Sequence, residues 1–367
     1  MKTLINGAGG RIGRAVTYET VKDMKNTILG SHLERNKNGV YLTALNEPKG
    51  IDFVVNNYMT RDPVHGIYDW KVKKTGSNSL TFDGIPVSFY AEKDISKIPF
   101  KDKGIEMVLE CSGFFGDPKI KDKSVKLTPS DNLARAFFQY GVNKVIQTYP
   151  AKTADLSVIM GVNHQLYNPT KHNIISNASC TTKALAMPLQ ILLDNGINIE
   201  ALSMDTTHAA TASQGILESL GQIITHSTGA AKATGQVIPS LNGKMSGMSY
   251  RVPTLDGSFA NLYFVATSDS EITAERVNDL MRASVINPKY KGRIGVFEGE
   301  DAGTFDIVGR RENSVIIPSK TTVIPLPFSP RGKKASLVTL IAGYDNELGS
   351  SVDPVLLARY VARKNDI

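Results

Sequence analysis

Lys2-Thr3-Leu4-Ile5-Asn6-Gly7-Ala8-Gly9-Gly10-Arg11-Ile12-Gly13 opens the chain and decides the reading of its fold. Lys2 to Asn6 is a short apolar-rich strand, a glycine cluster follows, and a helical pattern then runs through Val16, Val21 and Met24. At such a junction, backbone N–H groups and the helix dipole can hold a pyrophosphate. Gly7 allows the turn, Gly9 or Gly10 the close approach of a ligand, and Gly13 tight packing of helix on sheet. The spacing fits G-x-x-G-x-x-G through Gly7, Gly10 and Gly13 better than G-x-G-x-x-G, because position 12 is Ile12. A glycine-rich turn without a ligand gives the same pattern.

Tyr41 to Leu45 is the next strand and ends in Asn46-Glu47-Pro48. An acid at that place can accept hydrogen bonds from both ribose hydroxyls of a dinucleotide and repels a 2′-phosphate, which favours NAD over NADP. An exposed loop glutamate is the alternative. Glu47 lies farther from Gly13 than the roughly 20 residues usual for this motif, and the polar stretch 26–39 accounts for the excess if it is an insertion. Further strands are expected at Ile105 to Glu110 and Lys144 to Gln147, with helices between, so the first half reads as a parallel, doubly wound sheet. The segment 116–130 is rich in lysine, aspartate and proline and reads as surface, before a helix at Asn132 to Tyr140.

The second half changes character. Ala201 to Thr207, Ser249 to Thr254, Asn261 to Thr267 and Ser336 to Gly343 are β-branched and alternating, which suits a mostly antiparallel sheet, covered by a helix at Ala274 to Ser284. Pro354 to Lys364 reads as a helix that packs back on the first domain. The expected division is 1–179 for the nucleotide-binding domain, completed by 346–367, and 180–345 for the second. A length of 367 residues agrees with two cores.

Composition excludes several classes. Two cysteines, Cys111 and Cys180, rule out a disulfide framework as scaffold. No apolar run approaches the roughly 18 residues of a membrane span. The N-terminus goes straight into strand and glycine loop without an apolar signal core, so a cytoplasmic protein is expected, with no membrane partner. A net charge of +7 would attract phosphorylated metabolites and suits weak nucleic-acid binding. No Lys/Arg block or aromatic-basic stripe stands out, so a solvated surface is the plainer reading and no specific nucleic-acid partner is expected.

Asn177-Ala178-Ser179-Cys180-Thr181-Thr182 is the sharpest chemical feature. It follows a strand at His172 to Ser176 and precedes a helical run through Leu185, Leu189 and Leu192. Cys180 therefore falls at a helix N-terminus, where dipole and free N–H groups lower a thiol pKa and suit covalent catalysis. A small buried hydrophobe is the alternative for any cysteine, and Cys111 at the exit of its apolar strand fits it. His208 ends a strand, where it could serve a thiolate as base or be a satisfied structural histidine. No metal-ligand cluster is expected.

Together these segments resemble the phosphorylating glyceraldehyde-3-phosphate dehydrogenase family. The resemblance rests on Gly-Val-Asn-His at 161–164, KHNIISNASCTT at 171–182, MDTTHAATASQ at 204–214, STGAAKATGQVIPSLNGKMSGMSYRVPT at 227–254 and YDNELGSSV at 344–352. Weaker likeness covers Asn6 to Val16, Leu45 to Pro48 and Glu110 to Phe115. It implies an α/β fold: a Rossmann-type doubly wound parallel sheet plus a second α+β domain with a mostly antiparallel sheet. It implies NAD-dependent oxidation of glyceraldehyde 3-phosphate to 1,3-bisphosphoglycerate in glycolysis, with Cys180 as nucleophile and His208 as base. Arg11 and Ile12 would contact the pyrophosphate and Glu47 the adenosine ribose. Lys93 and Thr148 match cofactor-contacting positions, and Asn346 would hold the nicotinamide carboxamide. Ser179, Thr181, Thr211, Thr228, Gly229 and Arg251 would bind the substrate phosphate and inorganic phosphate. A homo-oligomer, tetramer or dimer, is implied.

The departures are specific. The glycine loop carries one residue more than usual, Lys183 stands where asparagine is usual, and Ala184 where a second cysteine is common. The stretch from His208 to Thr228 is about a dozen residues shorter than in the family. It normally meets a neighbouring subunit and supplies an arginine to the inorganic-phosphate site, but Gly215 to His226 contains none. An erythrose-4-phosphate dehydrogenase shares most of these motifs, and a weakly active nucleotide-binding interaction protein is the reading from a different class.

Overall fold

The computed structural model describes residues 1–29, 39–59, 61–62, 64–119, 127–210, 221–328 and 332–365. The stretch 26–39 and the segment 116–130 thus fall partly outside, and Thr211 lies outside the described residues. The chain divides into two compact units. One comprises Met1–Val158, Gln165–Ala178 and Ser351–Ile367; the other Ile159–His164 and Ser179–Ser350.

The first unit is built on strands β1 (Lys2–Asn6), β2 (Tyr41–Asn46), β3 (Val72–Gly76), β4 (Ser79–Phe82), β5 (Ile85–Tyr90), β6 (Met107–Glu110), β7 (Lys144–Gln147), β8 (Leu156–Ser157) and β9 (Ile174–Ser176). Their order is β3-β4-β5-β2-β1-β6-β7-β9-β8. From β5 to β8 every pairing is parallel, the doubly wound arrangement expected. β3, β4 and β5 instead form an antiparallel meander at one edge. Its second turn is Asp83-Gly84, at φ 50° and 85°, the pair of left-handed residues that a two-residue hairpin demands. Leu4, Val108, Val145 and Ile174 pack from the strands on Phe100 and Phe137. The expected helix at 132–140 is a 3-10 helix over Leu133–Tyr140, begun by Asn132 Oδ1 accepting from Ala134 N at 3.0 Å and stopped by Gly141 at φ 90°.

The glycine loop leads from β1 into α1 (Arg11–Leu29). Each glycine there has its own reason. Gly7 has φ 78°, and a Cβ would lie 2.7 Å from the Ser112 amide. A Cβ on Gly13 would lie 2.0 Å from the Gly7 carbonyl oxygen. A Cβ on Gly9 would strike Phe53 and the Glu47 side chain, at 2.7 and 2.9 Å. Gly10 alone has room: its nearest neighbour would be 3.5 Å away. Helices α2 (Ile51–Met59) and α3 (Phe100–Lys103) complete the crossovers.

The second unit begins with α4 (Cys180–Asp194), buried on nearly every side from Thr181 to Leu192. A helix so covered is a core element rather than an amphipathic surface one. Its sheet contains β10 (Asn198–Ala209), β11 (Ile224–Ser227), β12 (Met245–Val252), β13 (Ser258–Ser268), β14 (Ile294–Val296), β15 (Ser314–Ile316), β16 (Thr322–Pro325) and β17 (Lys334–Tyr344). The order is β11-β12-β10-β13-β17-β15-β14, with β16 on β17. Only β10–β12 and β14–β15 pair in parallel, so the sheet is mixed and mostly antiparallel, as expected. Helices α5 (Ala230–Val237), α6 (Ala274–Ile286) and α7 (Thr304–Ile307) accompany it, and α8 (Leu348–Asn365) ends the chain. Among the described residues no helix is long and apolar enough to cross a membrane.

The loop geometry separates two alanine substitutions. Gly13→Ala forces backbone apart and should cost on the order of 1–3 kcal/mol, whereas Gly10→Ala should leave stability within about 0.5 kcal/mol. Denaturant titration of the two variants measures the difference.

Candidate active site

In the first unit, the glycine loop, the end of β2 and the segment after β6 enclose a cavity of about 480 Å³. Gly7, Gly10, Glu47 and Lys93 line it, with Ser112, Phe114 and Phe115 opposite. Behind it, a buried polar cluster ties three strand ends together. Asn46 Nδ2 donates to Asn6 Oδ1 at 2.7 Å, and Asn6 Nδ2 donates to Glu110 Oε2 at 2.5 Å. The other Glu110 oxygen accepts from Ser112 N at 2.8 Å and from the Ser112 hydroxyl. Burial pushes the Glu110 carboxyl up to about 7, against the pull of these donors.

Glu47 is 8% exposed, and its Oε2 accepts from Gly9 N at 3.0 Å. Gly9 is therefore the glycine of close approach to the protein's own acid, and Gly10 the one left open to a ligand. Tyr58 steadies the loop by donating to the Ala8 carbonyl at 2.7 Å. Arg11 and Ile12 are the first residues of α1, where first-turn N–H groups lack intrahelical acceptors. Gly13 supports the turn from behind. Thr148 follows β7, its hydroxyl donating to the Glu110 carbonyl at 3.2 Å, and does not line the cavity. The open space at Gly10, the acid on the wall and the helix start fit a dinucleotide.

In the second unit, Ser179 is the N-cap of α4. Its backbone is extended, at φ −94° and ψ 163°, and its hydroxyl accepts from Thr182 N at 3.0 Å. The cap makes Cys180 the first helical residue. Ala178, just before, has φ 54°, a left-handed backbone that costs an L-residue roughly 1–2 kcal/mol. Cys180 Sγ lies 3.5 Å from His208 Nε2. His208 sits near the end of β10, in parallel register with Arg251 of β12.

The His208 ring has two contacts at Nδ1: the Ala209 carbonyl at 2.7 Å and the Arg251 guanidinium. A guanidinium only donates, so Nδ1 cannot serve both at once. With Nδ1–H on Ala209, Nε2 is free to take the thiol proton. With Nδ1 accepting from Arg251, Nε2–H points at sulfur and suits a thiolate. Burial, seconded by the Arg251 charge, holds His208 down to about 4 despite the Ala209 carbonyl, so the ring is neutral at physiological pH. The expectation that the helix start lowers the Cys180 pKa needs correction. Burial dominates and pushes the thiol up, while the Thr181 hydroxyl and the charges of Lys183 and Arg251 pull it down. Burial also pushes the Cys111 thiol up, and there the Glu110 charge adds to it.

Arg251 Nε is buried and has no partner among the described residues. Thr228 Oγ1 accepts from Ala230 N at 3.2 Å, and Gly229 caps α5 with open space above its Cα. The Thr181 hydroxyl is engaged with Tyr344 at 2.9 Å. Asn346 accepts from the Ser258 hydroxyl at 3.0 Å through its side-chain oxygen. Two residues had no role in the sequence reading. Tyr344, fully buried, joins Thr181 to Thr206 at 2.8 Å and presents its ring to His208, with centroids 6.0 Å apart. Lys183, 1% exposed, lies in the first turn of α4. The signal for Tyr344 was membership of the quoted motif at 344–352, and for Lys183 its standing where asparagine is usual; neither has a residue type that announces its contacts.

Comparison with known proteins finds one family. The model of the NAD-binding domain of glyceraldehyde 3-phosphate dehydrogenase matches residues 1–118, and that of the enzyme's C-terminal domain matches residues 179–346. Glyceraldehyde-3-phosphate dehydrogenase 1 of Bacillus subtilis (strain 168) is 35% identical, over 89% of this chain and 95% of its own length. The glyceraldehyde-3-phosphate dehydrogenases of Priestia megaterium and Geobacillus stearothermophilus are each 33% identical over 99% of both chains. With two family domains matched in order and relatives aligned from end to end, this chain belongs to the glyceraldehyde 3-phosphate dehydrogenase family.

Proposed function

We propose that this protein oxidises glyceraldehyde 3-phosphate to 1,3-bisphosphoglycerate, with NAD and inorganic phosphate, through a thioester on Cys180. The observation that carries the reading is the pairing of Cys180 Sγ with His208 Nε2 at 3.5 Å, beside the buried, unmatched Nε of Arg251. In the neutral ring with Nδ1–H on Ala209, Nε2 takes the thiol proton. The thiolate attacks the aldehyde carbon to give a hemithioacetal. His208 gives that proton to the new hemithioacetal oxygen and, neutral again, takes it back as the carbonyl reforms. NAD supplies the acceptor for the departing hydride. A phosphate oxygen then attacks the thioester carbon, and sulfur leaves as thiolate. Arg251 supplies a charged donor to a phosphate.

Glu47 supports NAD as the form used, with Gly7, Gly10, Arg11, Ile12, Gly13 and Lys93 as its cradle. Thr148 and Asn346 keep cofactor roles by resemblance. Ser179, Thr181, Thr228 and Gly229 complete the phosphate-binding set, in which Ser179 also caps α4. The first unit and the C-terminal helix correspond to the nucleotide-binding domain and the second unit to the catalytic one. A homo-oligomeric, cytoplasmic enzyme is the accompanying reading, dimer or tetramer, which light scattering distinguishes.

Cys180→Ser should lower turnover by at least 1000-fold and leave NAD affinity unchanged, a loss of the order seen when a nucleophile is removed. Iodoacetamide should label Cys180 before Cys111, whose thiol has an anion beside it. Since His208 is neutral above about pH 4, its proton-accepting role should persist through mildly acidic pH and fail only below that value. Labelling of Cys111 first would overturn the assignment.

Glu47 should make NAD preferred over NADP by ten-fold or more in kcat/KM, about 1.4 kcal/mol of discrimination; comparable values would mean that Glu47 faces away from the ribose. Because 215–226 carries no arginine, the KM for inorganic phosphate should be about ten-fold above that of a relative with the full loop, as expected for one lost charged hydrogen bond. Steady-state kinetics with varied phosphate tests this, and an equal KM sinks it.

A further inference from the structure

The first turn of α4 breaks a rule of helix electrostatics. Cations are disfavoured at helix N-termini, and lysine is among the residues least often buried, yet Lys183 is 1% exposed there. Its ammonium is anchored on the segment leading into α8, donating to the Ser350 carbonyl at 2.8 Å and to the Ser350 hydroxyl at 3.2 Å. Both bonds hold a charge in place, whereas an apolar side chain of similar length would fill the same space without a desolvated ion. A local rule broken in the turn that carries a thiol points to function. The residue three positions earlier is Cys180, and residues so spaced are neighbours on one helix face, with Cβ atoms about 5–6 Å apart.

We infer that Lys183 is a positioning residue for the nucleophile: its buried ammonium favours the Cys180 thiolate, both as it attacks the aldehyde and as it leaves the thioester. This rests on Cys180 being the nucleophile. The other groups around the sulfur cannot supply the same charge throughout. His208 from β10 is neutral at rest and becomes cationic only by taking the thiol's own proton. Arg251 from β12 is drawn onto phosphate when substrate binds, and Tyr344 from β17 carries no charge, since burial and the neighbouring thiol push its hydroxyl above the usual range. Lys183 is held by the protein itself, on Ser350, so it stays beside the helix start through the cycle. Asp345 and Glu347 are buried acids on the approach to Ser350. The Asp345 carboxylate is engaged by the amides of Gly309, Glu347 and Leu348.

The test is the pH dependence of Cys180 alkylation by iodoacetamide in the full-length protein, followed by peptide mass. In Lys183→Met the midpoint should rise by about one pH unit, equivalent to a ten-fold slower reaction at neutral pH. Lys183→Arg should restore most of the rate. Should Lys183→Met not fold, Lys183→Gln keeps a donor for Ser350 and should show the same rise. A purely structural lysine would change stability and leave the midpoint where it was. An unmoved midpoint in a folded Lys183→Met or Lys183→Gln protein, with Cys180 still the labelled thiol, overturns the inference alone. Turnover that survives Cys180→Ser, or labelling that bypasses Cys180 in the native chain, overturns the nucleophile assignment beneath it.

Discussion

Burial of the start of α4 is the constraint on which the chemistry depends. The helix is covered on nearly all sides from Thr181 to Leu192, so Cys180, half-buried at its start, holds its thiol where an anion is poorly solvated. Desolvation disfavours every charge formed there. It raises the thiol, and it lowers the imidazole that would take the thiol's proton. The resting pair is therefore neutral, and fixed charges must favour the ionised form. Arg251 and Lys183 are those charges, one open to an incoming anion and one locked on Ser350. The Ser179 cap and the left-handed Ala178 hold the sulfur at the end of the helix, where these charges act on it.

The glycine loop follows a similar logic of close approach. One more glycine than the usual motif carries would be puzzling if every glycine served the ligand. Gly9 serves Glu47 instead: its amide donates to the carboxylate, and a Cβ there would collide with the same side chain. The acid is thus aimed by the loop that lines the cavity. Asn6, Asn46 and Glu110 then fasten the strand ends around that loop through buried hydrogen bonds, and the exposed Ser112 joins them through Glu110. Such a network rigidifies a site because each member left unpaired would cost the full desolvation of a polar group.

The sequence by itself determined the parallel core of the first unit, the mostly antiparallel character of the second, and the candidate nucleophile and base. Those features have local causes: a strand–glycine–helix junction, period-two alternation from Ala201 onward, and a cysteine between a strand and a helical run. The antiparallel edge β3–β5 was equally local, written in Asp83-Gly84, though absent from the strands expected. Helix 132–140 proved 3-10, a distinction that periodicity over so short a run does not resolve. Only the tertiary structure decided what depends on partners distant in sequence. Register between β10 and β12 sets Arg251 beside His208, 43 residues away. Burial, which no stretch of sequence carries alone, reversed the expected direction of the Cys180 shift. Lys183 shows in the sequence only as standing where asparagine is usual; the fold encloses it against Ser350, 167 residues on, and its charge has meaning only in that enclosure, because in water it would be screened from the sulfur.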